Sequence, residues 1–289
     1  MPRVLTLEEF FRLVYIVRRP LKPRSVSSAL QTIGLFDRWH GSPVRLIDLT
    51  DELLNAFLID MSRAWRPRTV RRRRTEILMV WRLALETGHT RRPPGIIRKI
   101  NVPRRLPEAW TLAELRRLLD AAAAKAFDRE LPNGIHEGRF WRAFVLTAYD
   151  SALRASDLLA LERSAINAVG QILVLQEKTQ DGHLCRLRGE TLEAIAAIFP
   201  PERERIFAWP WRREAFYSHW RQLLAASGMR QGPREGPQKL RRTSASYVER
   251  NSPGAATKHL GHKSGDLARR HYIDPRIADD ERPLPPPIE

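Results

Sequence analysis

The sequence predicts a mainly α protein built as two helical domains, the second carrying a small antiparallel β-hairpin sheet. Three observations point there. Apolar residues recur at helical spacing from about Thr6 to Thr87 and again from Thr111 onward. Between these regions, His89 to Ala109 loses the periodicity and is dense in proline and arginine. Two short runs flanking the turn signal Asp181-Gly182 read as a pair of strands.

In the first domain, Ser25 to Trp39 sets Val26, Leu30, Ile33, Leu35 and Phe36 at roughly helical spacing, and Gly41 stops the helix. Thr50 is an expected N-cap ahead of the buried stripe Leu53, Leu54, Phe57 and Leu58. A further helix is expected from near Thr69, packing Val70, Ile77, Leu78, Trp81 and Leu85 and ending at Gly88. Pro93-Pro94, Pro103 and Pro107 then lie among Arg91, Arg92, Arg98, Lys99, Arg104 and Arg105, which makes this stretch a stiff, basic connection. The second domain opens with a capping box, Thr111-Leu112-Ala113-Glu114, ahead of Leu115, Leu118 and Leu119. Trp141 to Tyr149 continues as a mostly apolar helix. Gln171 to Gln176 is read as a strand and His183 to Leu187 as its alternating return strand. Helices resume from Glu190, again over Arg213 to Ser227, and then through the C-terminal region. Pro283, Pro285, Pro286 and Pro287 make the last residues irregular. The resulting division is residues 1–90, a linker over 91–109, a second domain over 110–275 and a tail over 276–289.

The chain has 289 residues and a hydrophobic content of 43%, which excludes a disordered basic tail. A formal charge of +17 calls for a polyanionic partner, with nucleic acid foremost, because counterion release drives binding of Lys/Arg-rich surfaces to phosphates. A membrane surface is disfavoured, since there is neither a lipidation signal nor a lone basic amphipathic anchor. Cys185 is the only cysteine, so an intrachain disulfide is excluded and a reducing compartment fits. Nothing near Met1 reads as a signal peptide, and no apolar run approaches the ~20 residues that span a bilayer. The expectation is a soluble, cytoplasmic, nucleoid-associated protein.

The chemistry concentrates in the last fifth of the chain. Leu240-Arg241-Arg242-Thr243 is followed by Leu260-Gly261-His262 and then by Tyr272. Upstream, Ala152-Leu153-Arg154-Ala155-Ser156-Asp157-Leu158 supplies a second arginine, and Lys178 lies beside the hairpin turn. A phosphodiester under attack gathers negative charge on its non-bridging oxygens. Two planar, permanently charged guanidiniums suit that state. A phenol is a usable nucleophile and, after attack, a usable leaving group. Ser252, Pro253 and Gly261 are expected to cap a short helix that delivers His262, and a helix from near Ser264 is expected to deliver Tyr272. Tyr15, Tyr149, Tyr217 and Tyr247 are expected to be structural. His259 and His271, near His262, leave a zinc site as a minor alternative.

In this order of motifs the chain resembles the tyrosine recombinase (phage integrase) family over nearly its whole length. The resemblance implies an integrase-like fold, with a helical SAM-like core-binding domain and an α-rich catalytic domain closing as a C-shaped clamp on duplex DNA. It implies Arg154 and Arg241 as the two catalytic arginines, Lys178 as the leaving-group acid and His262 as a phosphate-contacting residue. Tyr272 would be the nucleophile, forming a 3′-phosphotyrosyl link without metal or nucleotide cofactor. It also implies a homotetramer on two DNA sites, in the setting of a mobile element. Arg68, Arg71, Arg72, Arg73 and Arg74, in a helix resembling those that approach the major groove, and Arg104 and Arg105 in the linker are expected to meet DNA. One departure stands out. Where the family often has histidine three residues before the second arginine, this chain has Gln238, which donates to phosphate but takes no proton near neutral pH. The base is therefore unassigned. A weakened or inactive DNA-binding protein of recombinase ancestry remains the alternative, with a relaxing topoisomerase as a second.

Overall fold

The computed structural model describes residues 4–175, 182–198 and 203–279. The chain divides into two compact units, Met1–Arg104 and Arg105–Glu289. It is mainly helical, with one two-stranded antiparallel sheet among the described residues.

In the first unit, α1 (Leu7–Phe10), a π-helical turn (Phe11–Tyr15) and α2 (Ile16–Arg18) follow one another directly. Thr6 and Glu9 cap the start reciprocally, at 3.1 and 2.9 Å. Helix α3 (Pro23–His40) ends at Gly41, whose φ of 86° requires the left-handed conformation that glycine adopts without strain. Helix α4 (Asp51–Ala64) is capped by Thr50 through the Leu53 amide, as the sequence predicts. Helix α5 (Pro67–Glu86) begins two residues before Thr69, because Pro67 occupies the first helical turn, where its missing N–H is no loss. Phe10, Phe36, Phe57, Ile77 and Trp81 form the centre of this core.

A run of four arginines on one helix samples a full turn, so some must face inward. Arg68, Arg71 and Arg72 are exposed. Arg73, expected at the DNA surface, is instead 1% exposed and held between α5 and α3. Its guanidinium donates to Thr32 Oγ1 (2.6 Å) and Gln31 Oε1 (3.0 Å), and Glu76 closes the group through Ser28 Oγ (2.5 Å). Arg74 is half-buried and donates to the Ile97 carbonyl at 3.3 Å. The Arg73 guanidinium makes its contacts inside the unit, which corrects its expected place among the DNA-facing arginines.

The basic connection is docked at both ends. The Asp51 carboxylate accepts the amides of Gly95 (2.9 Å) and Ile96 (2.5 Å), Asn55 Oδ1 accepts that of Arg98 (2.7 Å), and Trp81 Nε1 donates to the Arg92 carbonyl (2.8 Å). These contacts extend the first unit beyond residue 90. Further on, Arg234 donates to Glu108 (2.7 Å) and to the Leu106 carbonyl (2.8 Å), both within the second unit. Arg104 and Arg105, at the division between the units, are exposed.

The second unit begins with α6 (Leu112–Ala122), which carries the expected Thr111–Glu114 capping box. Helix α7 (Glu137–Ser151) is buried along most of its length. It lies so close to α6 that a Cβ at Gly138 would stand 2.3 Å from the Ala122 carbonyl oxygen, so only glycine fits. Next come α8 (Ala155–Leu159), β1 (Gln171–Leu175), β2 (Gly182–Arg186), α9 (Gly189–Ala196) and α10 (Arg213–Ala226). The strands pair antiparallel with Ile172 opposite Cys185 and Val174 opposite His183. Lys178 and Asp181 lie outside the described residues. Phe140, Trp141, Phe144, Phe216 and Trp220 form an aromatic core, and Trp209 packs on Trp141 at 5.6 Å between ring centroids.

The C-terminal elements are α11 (Gln238–Asn251), α12 (Ala255–His259), α13 (Gly265–His271) and α14 (Pro275–Ala278). Helix α12 starts after Gly254, at φ 88°, and not at the expected Ser252-Pro253 cap. Helix α14 is a regular turn where an irregular tail was expected, because Asp274 caps it through the Arg276 amide at 3.1 Å.

Arg73→Ala is expected to lower the stability of the full chain by about 3 kcal/mol, since it removes the buried cation that binds Thr32 and Gln31 beside Glu76. Arg71→Ala is expected to change it by less than about 0.5 kcal/mol. Thermal or denaturant unfolding of the two variants side by side checks this, and equal losses would contradict the assignment.

Candidate active site

Three chain reversals in the second unit deliver the side chains of interest. Helix α7 ends at Ala152, which adopts φ 49°, and Arg154 then leads into α8. Helix α12 ends at Gly261, with φ 62°, so His262 emerges from the terminus as the sequence predicts. Tyr272 caps the C-terminus of α13, its amide donating to the Ala268 carbonyl at 2.9 Å. The fourth contributor, α11, presents Gln238 and Arg241 three residues apart and therefore on one face.

Helix α11 is polar in sequence yet largely buried, and its hydroxyls explain how. Thr243 Oγ1 accepts the Trp110 amide (2.9 Å), and Ser246 Oγ accepts the Asp274 amide (2.8 Å). Ser244 Oγ donates to the Tyr149 carbonyl (2.5 Å) and accepts from His259 Nε2 (2.6 Å). These bonds satisfy buried polar groups and tie α7, α12 and the chain after α13 to a single helix.

Arg241 stands at the centre and is fully buried. Its Nη1 donates to the Ala152 carbonyl, and its Nη2 donates to the Leu260 carbonyl (2.7 Å) and to His262 Nε2 (3.2 Å). The guanidinium carbon lies 5.2 Å from the centre of the Tyr272 ring, and the His262 and Tyr272 rings meet edge-on at 4.8 Å. Burial, followed by the neighbouring charge of Arg154, lowers the Arg241 pKa to about 10, with Tyr272 opposing the shift. It therefore stays charged at neutral pH. Burial, Arg241 and Arg154 lower His262 to about 4, so its imidazole is neutral. Because an arginine N–H donates to Nε2, the ring proton of His262 is on Nδ1, a buried atom without a hydrogen-bond partner among the described residues. Asp157 sits 3.6 Å from Arg154 Nη1, which suits a brace.

Arg154, Arg241, His262 and Tyr272, separated in sequence by up to 118 positions, thus share one neighbourhood, as their mutual electrostatic effects require. Gln238 is half-buried at the start of α11, and Lys178 is outside the described residues. Lys239, next to Gln238, is engaged elsewhere: it pairs with Glu235 at 2.7 Å and stands over the Trp110 ring at 5.1 Å. Tyr247 accepts the Leu112 amide at 3.1 Å, which fits a structural role. Of two further histidines in this neighbourhood, His183 went unread in the sequence and His259 was weighed only as a zinc ligand. His183 lies on the inward face of β2, and His259 is bound to Ser244. Only strand alternation could have hinted at His183. Among the described residues, no group of three His, Cys, Asp or Glu side chains is placed to hold a metal, and no helix is long and apolar enough to cross a membrane.

No protein-family model matches the chain, and no curated protein matches it. Solved structures do. A lambda integrase tetramer bound to a Holliday junction aligns with a TM-score of 0.73 at 21% identity, covering 100% of this chain and 81% of that one. A lambda integrase dimer bound to a COC′ core site aligns at 0.72 and 20%, covering 99% and 81%. The Tn1549 transposon integrase in complex with circular intermediate DNA aligns at 0.70 and 12%, covering 96% and 100%. The chain therefore has the integrase fold in both its units.

The site carries a pH signature. His259 and His262 both titrate near about 4 in the folded protein, against 6.5 in an unfolded chain. Between these values the unfolded state binds the extra protons, so stability falls as pH drops from 6.5 toward 4. The melting temperature is expected to decline across that window, and more steeply in the wild type than in His259→Gln. Parallel curves for the two proteins would show that His259 is not held neutral by folding.

Proposed function

We propose that this chain is a tyrosine recombinase that cleaves and rejoins DNA through Tyr272. The observation that carries the reading is the burial of Arg241 beside Arg154, with His262 and the Tyr272 ring against it. A buried cation whose hydrogen bonds go to two carbonyls and a neutral imidazole is oriented but not neutralised, and a second cation raises the cost. A phosphodiester bound between the two guanidiniums offsets that cost, most strongly when charge builds on its non-bridging oxygens.

In this mechanism the Tyr272 hydroxyl oxygen attacks the scissile phosphorus and gives up its proton to an acceptor other than Gln238. The bond to the 5′ oxygen breaks, leaving a 3′-phosphotyrosyl link and a free 5′-hydroxyl. Lys178 delivers the proton to that leaving oxygen. Arg154, Arg241, His262 and Gln238 donate to the phosphate oxygens. The phosphotyrosyl ester conserves the energy of the broken bond, so rejoining is the reverse attack and no metal or nucleotide cofactor enters. Residues 1–90 act as the core-binding domain and 110–275 as the catalytic domain. Arg68, Arg71, Arg72, Arg104 and Arg105, all exposed, contact backbone phosphates. A charge of +17 and the likeness in fold to integrases solved on DNA support these assignments. Strand exchange is assigned to a homotetramer on two sites, and the setting to the cytoplasm.

Gln238 favours a second reading, a DNA-binding protein of recombinase ancestry that no longer cuts. Incubation with a random-sequence duplex library, followed by a denaturing wash and sequencing of retained DNA, separates the two. The enzyme reading expects a covalent adduct that disappears in Tyr272→Phe and drops about 10²–10³-fold in Arg241→Ala. Salt-sensitive binding with no adduct under any salt or divalent-ion condition decides for the binder.

Restoring a proton acceptor addresses Gln238 directly. Gln238→His is expected to raise the rate of adduct formation by at least about tenfold, toward the ~10²–10⁴ that a general base contributes. An unchanged rate would mean that the base is supplied from another position.

A further inference from the structure

Strand β2 brings into the site an imidazole that the cleavage scheme leaves without a role. His183 pairs with Val174 across the hairpin and faces inward with Cys185, whereas Leu184 faces out. It is 1% exposed. Its Nε2 lies 3.0 Å from the Ser151 carbonyl, which can only accept, so the ring proton is on Nε2. The other nitrogen, Nδ1, is buried and makes no hydrogen bond among the described residues. Arg241, Asp157 and Arg154 are the charged groups that act on it. Burial is the largest influence and lowers the pKa, the Ser151 bond and Asp157 partly oppose it, and the two arginines lower it further. The imidazole is neutral at pH 7 and has one N–H to give.

That N–H is spent on an unusual piece of backbone. Ser151 is the last residue of α7, and Ala152 has the one positive φ, 49°, among the described non-glycine residues. Such backbone is strained and persists only where its surroundings over-determine it. Three bonds do so here. His183 donates to the Ser151 carbonyl, the Leu153 amide donates to Ser151 Oγ (3.2 Å), and Arg241 donates to the Ala152 carbonyl. The corner thus touches one arginine directly and leads, two residues on, into the other.

We propose that His183 is a positioning residue for phosphate binding and cleavage: its Nε2–H clamps the left-handed corner at Ala152 and so sets Arg154 against Arg241. The function it serves rests on the recombinase reading, but the clamp itself does not. The ring is 1% exposed and its one N–H is spent on backbone, which suits a brace and not a group that reaches substrate. A misplacement of about 1 Å at the reacting centre costs on the order of 10²-fold in rate, so a corner that relaxes is felt in chemistry before binding.

The test compares His183→Gln, which keeps a side-chain N–H donor, with His183→Leu, which does not, both in the full chain. In DNA-free protein, His183→Leu is expected to speed amide hydrogen exchange over residues 152–158 by about tenfold or more, and His183→Gln to leave it near wild type. On duplex recovered from the library, His183→Leu is expected to slow adduct formation about 10²-fold with DNA affinity held within about twofold, and His183→Gln to rescue it. The proposal is overturned by wild-type exchange and rate in His183→Leu at a temperature where all variants are folded. It is equally overturned by a His183→Gln defect as deep as that of His183→Leu. If the wild type traps no DNA, the recombinase reading fails, and the exchange comparison alone judges the clamp. If His183→Leu does not fold, nitrogen-15 spectra of wild-type His183 at neutral pH decide: a proton on Nε2 supports the donor assignment, and a proton on Nδ1 alone overturns it.

Discussion

The second unit is organised around one buried cation. Arg241 has no access to solvent, and its guanidinium reaches the end of α7, the end of α12 and the imidazole that follows it. A charge in that position has to be held by oriented dipoles and left ready for an anion. Much of the local structure meets that requirement. Ala152 turns left-handed and offers its carbonyl, Gly261 turns the chain so that His262 follows the Leu260 carbonyl, and Tyr272 lays its ring against the guanidinium. The neutrality of His262 follows from the same field, because burial beside two arginines disfavours its protonated form.

A helix that carries such a residue cannot bury an apolar face alone. Helix α11 instead buries serine and threonine hydroxyls, each matched to a backbone amide, a carbonyl or a histidine of another segment. Hydrogen bonds of this kind are directional where apolar packing is not, so they fix relative placement as well as adding stability. Lys239 is drawn the other way, onto Glu235 and Trp110.

The same economy of position governs the first unit. Helix α5 holds four arginines in succession, and the helical repeat sends Arg73 into a buried polar group with Thr32, Gln31 and Glu76. A chain that shares only 12–21% identity with the integrases it superimposes on can keep their fold because apolar spacing and caps are met by many sequences. Site chemistry is less tolerant of exchange, and Gln238 is where this chain differs from the pattern it resembles.

From the sequence alone came the helical class, the capping box at Thr111, the hairpin, and the grouping of Arg154, Arg241, His262 and Tyr272. Those features are written locally, in periodicity, capping residues and glycine positions, or in a motif order that needs no coordinates. Tertiary structure decided the rest. It sent Arg73 inward, docked residues 92–98 on the first unit through Asp51 and Asn55, and moved the start of α12 to follow Gly254. It also brought His183 and the Ala152 corner to Arg241. Spacing shows only that one of four consecutive helical arginines must turn inward; the rest depends on which groups from distant segments satisfy one another's hydrogen bonds once water is excluded.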